Sequence, residues 1–163
     1  MDRRTLMAGL LAGAASGAQA ATPDEGQPPR RLAEQFAATL NAHDIEAFAA
    51  LFAENYVNHQ TSAAAPPPAA GVTAKQGTVA FFAGRLKGLP DLNVAIEAIV
   101  AAEDKVAASF VYTGTHQATY LGVPPTGRKL RFTSCDIFAA KDGLIVEHWG
   151  MGDIAGTLAQ MKG

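Results

Sequence analysis

From Arg30 onward the apolar positions recur at helical spacing. Leu32, Phe36 and Leu40 stand four apart with Ala33 and Ala37 beside them, one stripe on a helix over about 30–42. Asp44 is a good N-cap for a second, short helix carrying Phe48, Leu51 and Phe52. Tyr56-Val57-Asn58-His59 reads as extended chain. Residues 62–72, dominated by Ala and Pro, cannot be regular structure and read as a surface loop. Thr73-Ala74-Lys75-Gln76 then matches a capping box. The helix behind it carries Val79, Phe82 and Leu86 to about Lys87, and Gly88 and Pro90 stop it.

After Pro90 the period changes from 3.6 to 2. Strands are expected at 92–101, at 105–116 with Val106, Ala108, Phe110 and Tyr112 on one face, at 129–139 and at 144–149. Residues 122–127 make a turn-rich connection, and Asp142-Gly143 is a strong hairpin signal. Asp153 can cap a closing helix through Met161. Helices followed by hairpin-linked strands imply an α+β domain, its helices packed on one face of a curved antiparallel sheet.

The first twenty residues stand apart from this pattern. Arg3 and Arg4 precede a Gly/Ala-rich apolar stretch, Leu6 to Ala18, and Ala18-Gln19-Ala20 fits a small-x-small cleavage site. The order Arg3-Arg4-Thr5-Leu6-Met7 resembles a twin-arginine export signal. The expectation is an exported, periplasmic protein with a flexible leader over 21–29 and a folded domain over 30–163. The apolar stretch is too short and weak for a stable membrane anchor once the signal is cleaved.

Composition narrows the function. The chain has 163 residues, 48% hydrophobic and 17% charged, which is one domain with material for one core. A net charge of −2 with no basic run past the N-terminus gives nucleic acid no footprint. One Cys makes no intramolecular disulfide, and four scattered His with that Cys make no metal-ligand pattern. No phosphate loop, nucleophile elbow or dinucleotide-binding motif is present, and no cofactor is implied.

The residue that does not fit is Asp136. It shares the even face of its strand with Leu130, Phe132, Ser134 and Phe138, so alternation turns it inward. An unpaired buried carboxylate is costly and must be paired, protonated or facing a polar cavity. Such a group suits general acid–base work, and it equally suits a structural Asp tied to a turn or a nearby Arg. With a two-residue Asp142-Gly143 turn, Lys141 pairs with Leu144, Phe138 with Glu147, and Asp136 with Trp149. Asp136, Glu147 and Trp149 then line one pocket with His148 pointing away. A three-residue loop reverses this, and the shorter loop is the expectation. His116 follows Phe110, Tyr112 and Gly114 on one face and either points into the same cavity or sits at an edge. His59 either roofs the cavity or marks a strand end. His43 is expected to face solvent, and Cys135 lies on the opposite face with no adjacent His to activate it.

These residues also carry a resemblance. Gly114-Thr115-His116, then Leu121 to Arg128 (Leu-Gly-Val-Pro-Pro-Thr-Gly-Arg), Asp136-Ile137-Phe138, Asp142 to Trp149 and Asp153 resemble the SnoaL-like polyketide cyclase (ester cyclase) family of the nuclear transport factor two-like superfamily. Asn41-Ala42-His43-Asp44, Tyr56 and His59 agree with it, and the likeness covers about 30–160. It implies a cone, cystatin-like in architecture, in which three N-terminal helices and a curved sheet surround a deep pocket. It implies a homodimer, cofactor-independent chemistry, and a small ketone or ester as substrate. Asp136 would abstract a proton α to a carbonyl, and the enolate would attack a second carbonyl in an intramolecular aldol or isomerase-type reaction. His116 would stabilise the enolate oxygen. Tyr56, His59, Phe82, Tyr112, Phe132, Glu147 and Trp149 form the candidate substrate-binding set. The alternative is a periplasmic protein of the same fold that binds a small molecule without turnover.

Overall fold

A computed structural model describes residues 28–60 and 67–163. The expected signal segment, most of the leader and residues 61–66 of the Pro/Ala loop lie outside the described residues. The first helix, α1 (Pro28–Asn41), begins two residues before the expected start at Arg30, inside the expected leader. Proline is well tolerated in a helix's first turn, where its missing N–H would have no partner anyway. α1 buries Leu32, Ala33, Phe36, Ala37 and Leu40, the stripe read from the spacing. Asp44 caps α2 (Ile45–Ala50) by accepting from the Ala47 N–H at 2.9 Å. α2 ends before Phe52, which opens β1 (Phe52–Asn58) instead of extending the helix.

The capping box holds on α3 (Ala74–Gly88): Gln76 N–H donates to Thr73 Oγ1 at 3.1 Å, and Thr73 N–H donates to Gln76 Oε1 at 2.9 Å. Its buried positions are Thr78, Phe82, Arg85 and Gly88, with Val79 and Leu86 only partly covered. The buried stripe is therefore turned by one residue from the one expected, and it carries two polar side chains inward. Then follow β2 (Asn93–Ala101), β3 (Lys105–Thr115), β4 (Lys129–Lys141), β5 (Leu144–Gly152) and α4 (Ile154–Lys162). Asp153 caps α4 through the Gly156 N–H at 2.8 Å.

The five strands form one curved open sheet in the order β1-β5-β4-β3-β2. Three ladders are antiparallel, but β1 joins the edge of β5 in parallel, so the sheet is mixed rather than wholly antiparallel. The helices α1–α3 pack on its inner face. Phe36 of α1 centres that core, with the rings of Phe48, Phe82, Phe110 and Phe138 at 5.1–5.2 Å. Each such pair adds about 0.5–1.5 kcal/mol beyond the area it buries.

The β4–β5 hairpin decides the site. Its turn is as expected: Lys141 faces Leu144, and Asp142 and Gly143 both take positive φ (52° and 77°), the pair a two-residue primed turn needs. One pair further out the register slips. Ala140 faces Ile145, but Ala139 faces Glu147, leaving Val146 as an extra residue on β5. This β-bulge exchanges the two faces of β5 beyond it. Phe138 then pairs with His148 and Asp136 with Gly150, so the expected pairing of Asp136 with Trp149 and of Phe138 with Glu147 is corrected.

Candidate active site

Asp136 is 5% exposed and accepts two hydrogen bonds inside the cone. His148 Nε2–H donates to Oδ1 at 2.7 Å, and the Ser134 hydroxyl, one pleat along β4, donates to Oδ2 at 2.5 Å. Nε2–H points at the carboxylate, and the Tyr56 hydroxyl of β1 lies 3.1 Å from the ring's other nitrogen, Nδ1, to which it donates. The chain continues outward: Thr78 Oγ1 donates to Tyr56 Oη at 3.4 Å, and Asn58 Nδ2 donates to Thr78 Oγ1 at 3.3 Å. Burial raises the Tyr56 phenol above its ordinary value and the Asp136 charge adds to the rise, against a lowering by Thr78, so the phenol stays protonated. Every donor in this line has one acceptor, which fixes the imidazole tautomer and its plane.

β5 also lets polar groups close in beside the carboxylate. A Cβ on Gly150 would come within 2.5 Å of Asp136 Oδ1, 2.6 Å of His148 Nε2 and 2.8 Å of Gln60 Oε1. Only a glycine allows these three polar atoms to converge against the backbone there. Gly150→Ala is expected to force Asp136 and His148 apart, lowering turnover by roughly 100-fold. Its stability cost, about 1–3 kcal/mol, is that of an overfilled core. Kinetics and thermal melting check both parts. Tyr56→Phe removes the phenolic hydroxyl, with its bonds to His148 and Thr78, and is expected to cost about 1 kcal/mol. It should also lower turnover about tenfold, by freeing the ring to adopt its other tautomer; denaturant unfolding and kinetics on the same variant read the two effects.

The structure brings some of the sequence-derived set together and separates others. Asp136, Tyr56, Phe82, Tyr112 and Phe132 are all buried on the inner side. Tyr112 and Phe132 stack at 5.1 Å and 7°, and Tyr112 Oη lies 3.4 Å from Ser134 Oγ. Glu147, Trp149 and His59 gather elsewhere, on the side of β5 that the bulge turns away. His59 Nε2 lies 2.7 Å from Glu147 Oε2, and its ring stacks on Trp149 at 4.5 Å and 4°. His116 is fully buried, but it follows β3 opposite Arg128, eight residues along the ladder from the level of Asp136, which faces Ala108. That is about 26 Å of extended chain. His116 and Asp136 therefore do not meet on one small carbonyl group; the imidazole at Asp136 belongs to His148. His116 Nδ1 lies 3.0 Å from Thr126 Oγ1, and its Nε2 has no partner among the described residues.

Sequence reasoning missed His148, Ser134, Gly150, Gln60 and Arg85. The signal for Arg85 was its place three residues after Phe82, on the inward stripe of α3. It is 5% exposed, its Nε–H donates to Tyr120 Oη at 2.9 Å, and its guanidinium lies 4.6–5.2 Å from the centroids of Phe81, Phe82, Tyr112 and Phe132. Among the described residues no group of His, Cys, Asp and Glu is placed to hold a metal.

The same architecture occurs in solved structures. IdmH of Streptomyces antibioticus, assigned as a polyketide cyclase, is 30% identical and superposes with a TM-score of 0.70 over 83% of this chain and 99% of its own. TsrD of Streptomyces laurentii is 25% identical, with a TM-score of 0.69 over 82% of this chain and 94% of that one. AclR of Streptomyces galilaeus, assigned as a hydroxylase, is 26% identical, with a TM-score of 0.68 over 82% and 95%. No curated protein matches the chain at a significant level. The family model for SnoaL-like polyketide cyclases matches residues 30–161, nearly all of the described domain. With its helix-filled curved sheet and inward carboxylate, the chain belongs to the SnoaL-like polyketide cyclase family.

Proposed function

We propose that the protein is a cofactor-independent carbon-acid enzyme in which Asp136 removes a proton α to a carbonyl of a small apolar ketone or ester. The observation that carries this reading is a buried carboxylate held by two donors, His148 and Ser134, and packed against the side-chain-free Gly150. Each carboxylate oxygen retains a second lone pair, so a fixed base remains able to accept a proton. His148 positions the carboxylate through Nε2–H and in turn is positioned by Tyr56. The α C–H bond breaks, its pair forms the enolate, and the proton resides on Asp136. Attack on a second carbonyl of the same molecule forms the new C–C bond, and the proton returns from Asp136 to the resulting alkoxide. Without a second carbonyl the proton returns to carbon: to the same carbon this is exchange, and to the far carbon of a conjugated enolate it is isomerisation. Binding the chain folded supplies the proximity such a closure needs, and the rings of Tyr112 and Phe132 offer a flat apolar wall. Kinship with a polyketide cyclase family supports a substrate rich in carbonyl groups.

Incubating the protein with small aryl ketones and esters in D2O tests this. Deuterium should enter the α position, followed by proton NMR, faster than in buffer, and Asp136→Asn should show the buffer rate. A non-catalytic binder would hold the same ketones and exchange none of their protons, and that outcome would reject the enzymatic reading.

A further inference from the structure

Arg85 is a buried cation with no carboxylate in contact. Among the described residues none lies within ion-pair distance of it, the ion pairs present are elsewhere, and the buried carboxylate whose charge it feels is the more distant Asp136. Its Nε–H donates to the Tyr120 phenol, and its surroundings are the rings of Phe81, Phe82, Tyr112 and Phe132. Buried charges are ordinarily paired, and a guanidinium has five donors in a fork shaped for the two oxygens of a carboxylate. Cation–π contact and the bond to Tyr120 offset part of the burial cost without supplying a counter-ion in contact. A second group in the same region is also short of a partner. The chain carrying His116 packs on the last turn of α3, where Gln117 N–H donates to Gly88 O at 2.9 Å, and the buried His116 Nε2 is unpartnered. Arg85 reaches the carboxylate site through a short series of side chains: its guanidinium lies over Tyr112, Tyr112 Oη is beside Ser134, and Ser134 donates to Asp136.

We infer that Arg85 is the anchor for a carboxylate on the ligand, so that the substrate is an aromatic or polyketide-type keto acid, with its acid group on the Arg85 guanidinium and its enolisable carbon at Asp136. The assignment rests on the proposed role of Asp136 only for the second half of that sentence; the acid-binding half stands on Arg85 alone. The rings around the guanidinium then flank the apolar stem between the two ends. A permanent anion is favoured over an enolate oxygen, because the guanidinium has no carboxylate in contact in the unliganded protein and an enolate exists only during turnover.

The probes are 4-oxo-4-phenylbutanoate and its methyl ester, compared by calorimetry and by the rise in melting temperature. The acid should bind the parent protein about tenfold or more tighter than the ester. The preference should survive in Arg85→Lys in weakened form and vanish in Arg85→Gln. It should persist in Asp136→Asn, which keeps the guanidinium, so failure of the proton-abstraction reading is separable from failure of this one. Equal binding of acid and ester by the parent, or binding of neither, would overturn the inference without recourse to any variant. Circular dichroism of each Arg85 variant confirms that a lost preference is not lost fold.

Discussion

Asp136→Asn is expected to lower the turnover of a carbon acid by about 10³-fold while leaving the fold intact, the range that a positioned proton-transfer group contributes. The amide keeps the shape of the carboxylate. Its carbonyl oxygen can still accept from His148 Nε2–H, and its NH2 can donate to Ser134 Oγ once that hydroxyl rotates. What it loses is basicity. Because the buried negative charge goes with it, the stability change should be small, within about 1 kcal/mol. The decisive comparison is kcat of the variant against parent with the melting curve of each. Parent-like turnover in a folded variant would end the case for Asp136 as the base.

His148→Ala should have the largest effect on stability in the site. The imidazole is 3% exposed and joins the Asp136 carboxylate to the Tyr56 hydroxyl. Its removal leaves the Asp136 carboxylate with one donor and the Tyr56 hydroxyl without its acceptor, beside the Phe138 ring that packs on the imidazole at 5.1 Å. Breaking a buried charge-assisted pair from one side costs about 3 kcal/mol or more, mostly the desolvation of what remains. A drop in denaturant midpoint at unchanged slope would measure it. The variant should also fall toward the Asp136→Asn turnover, since a wandering carboxylate is a poor base, and added imidazole should restore part of the rate by refilling the gap. A loss below about 1 kcal/mol would mean the dyad does not hold the site together.

The α1 stripe, both side-chain caps, the capping box and the Asp142-Gly143 turn were legible, because each is a local pattern with a local cause. Asp136 was legible as the odd residue on an apolar face, for the same reason. Its partner was not. A hairpin register propagates from the turn only while both strands advance together, and the extra Val146 on β5 carries no glycine or proline to announce it. That single residue exchanges His148 for Trp149 and Glu147 at the inner face. The parallel docking of β1 on β5 was also hidden, since pairing across most of the chain leaves no mark in either segment. Arg85 was overlooked because Leu86, beside it, completes an equally regular apolar stripe; only tertiary packing shows which of the two turns in.

The contact between Tyr56 and His148 spans 92 positions of sequence, and β1 adds to the sheet only through β5. Loop closure over such a distance delays folding. As the chain emerges from a ribosome, α1, α2 and the segment of β1 come first, yet β1 has no neighbour until nearly everything else has followed. Asp136 is made before its imidazole, and His148 before it can be oriented. The Asp136–His148–Tyr56 line of hydrogen bonds is thus complete only once the last long-range pairing has formed, which confines the assembled site to molecules that have completed their fold.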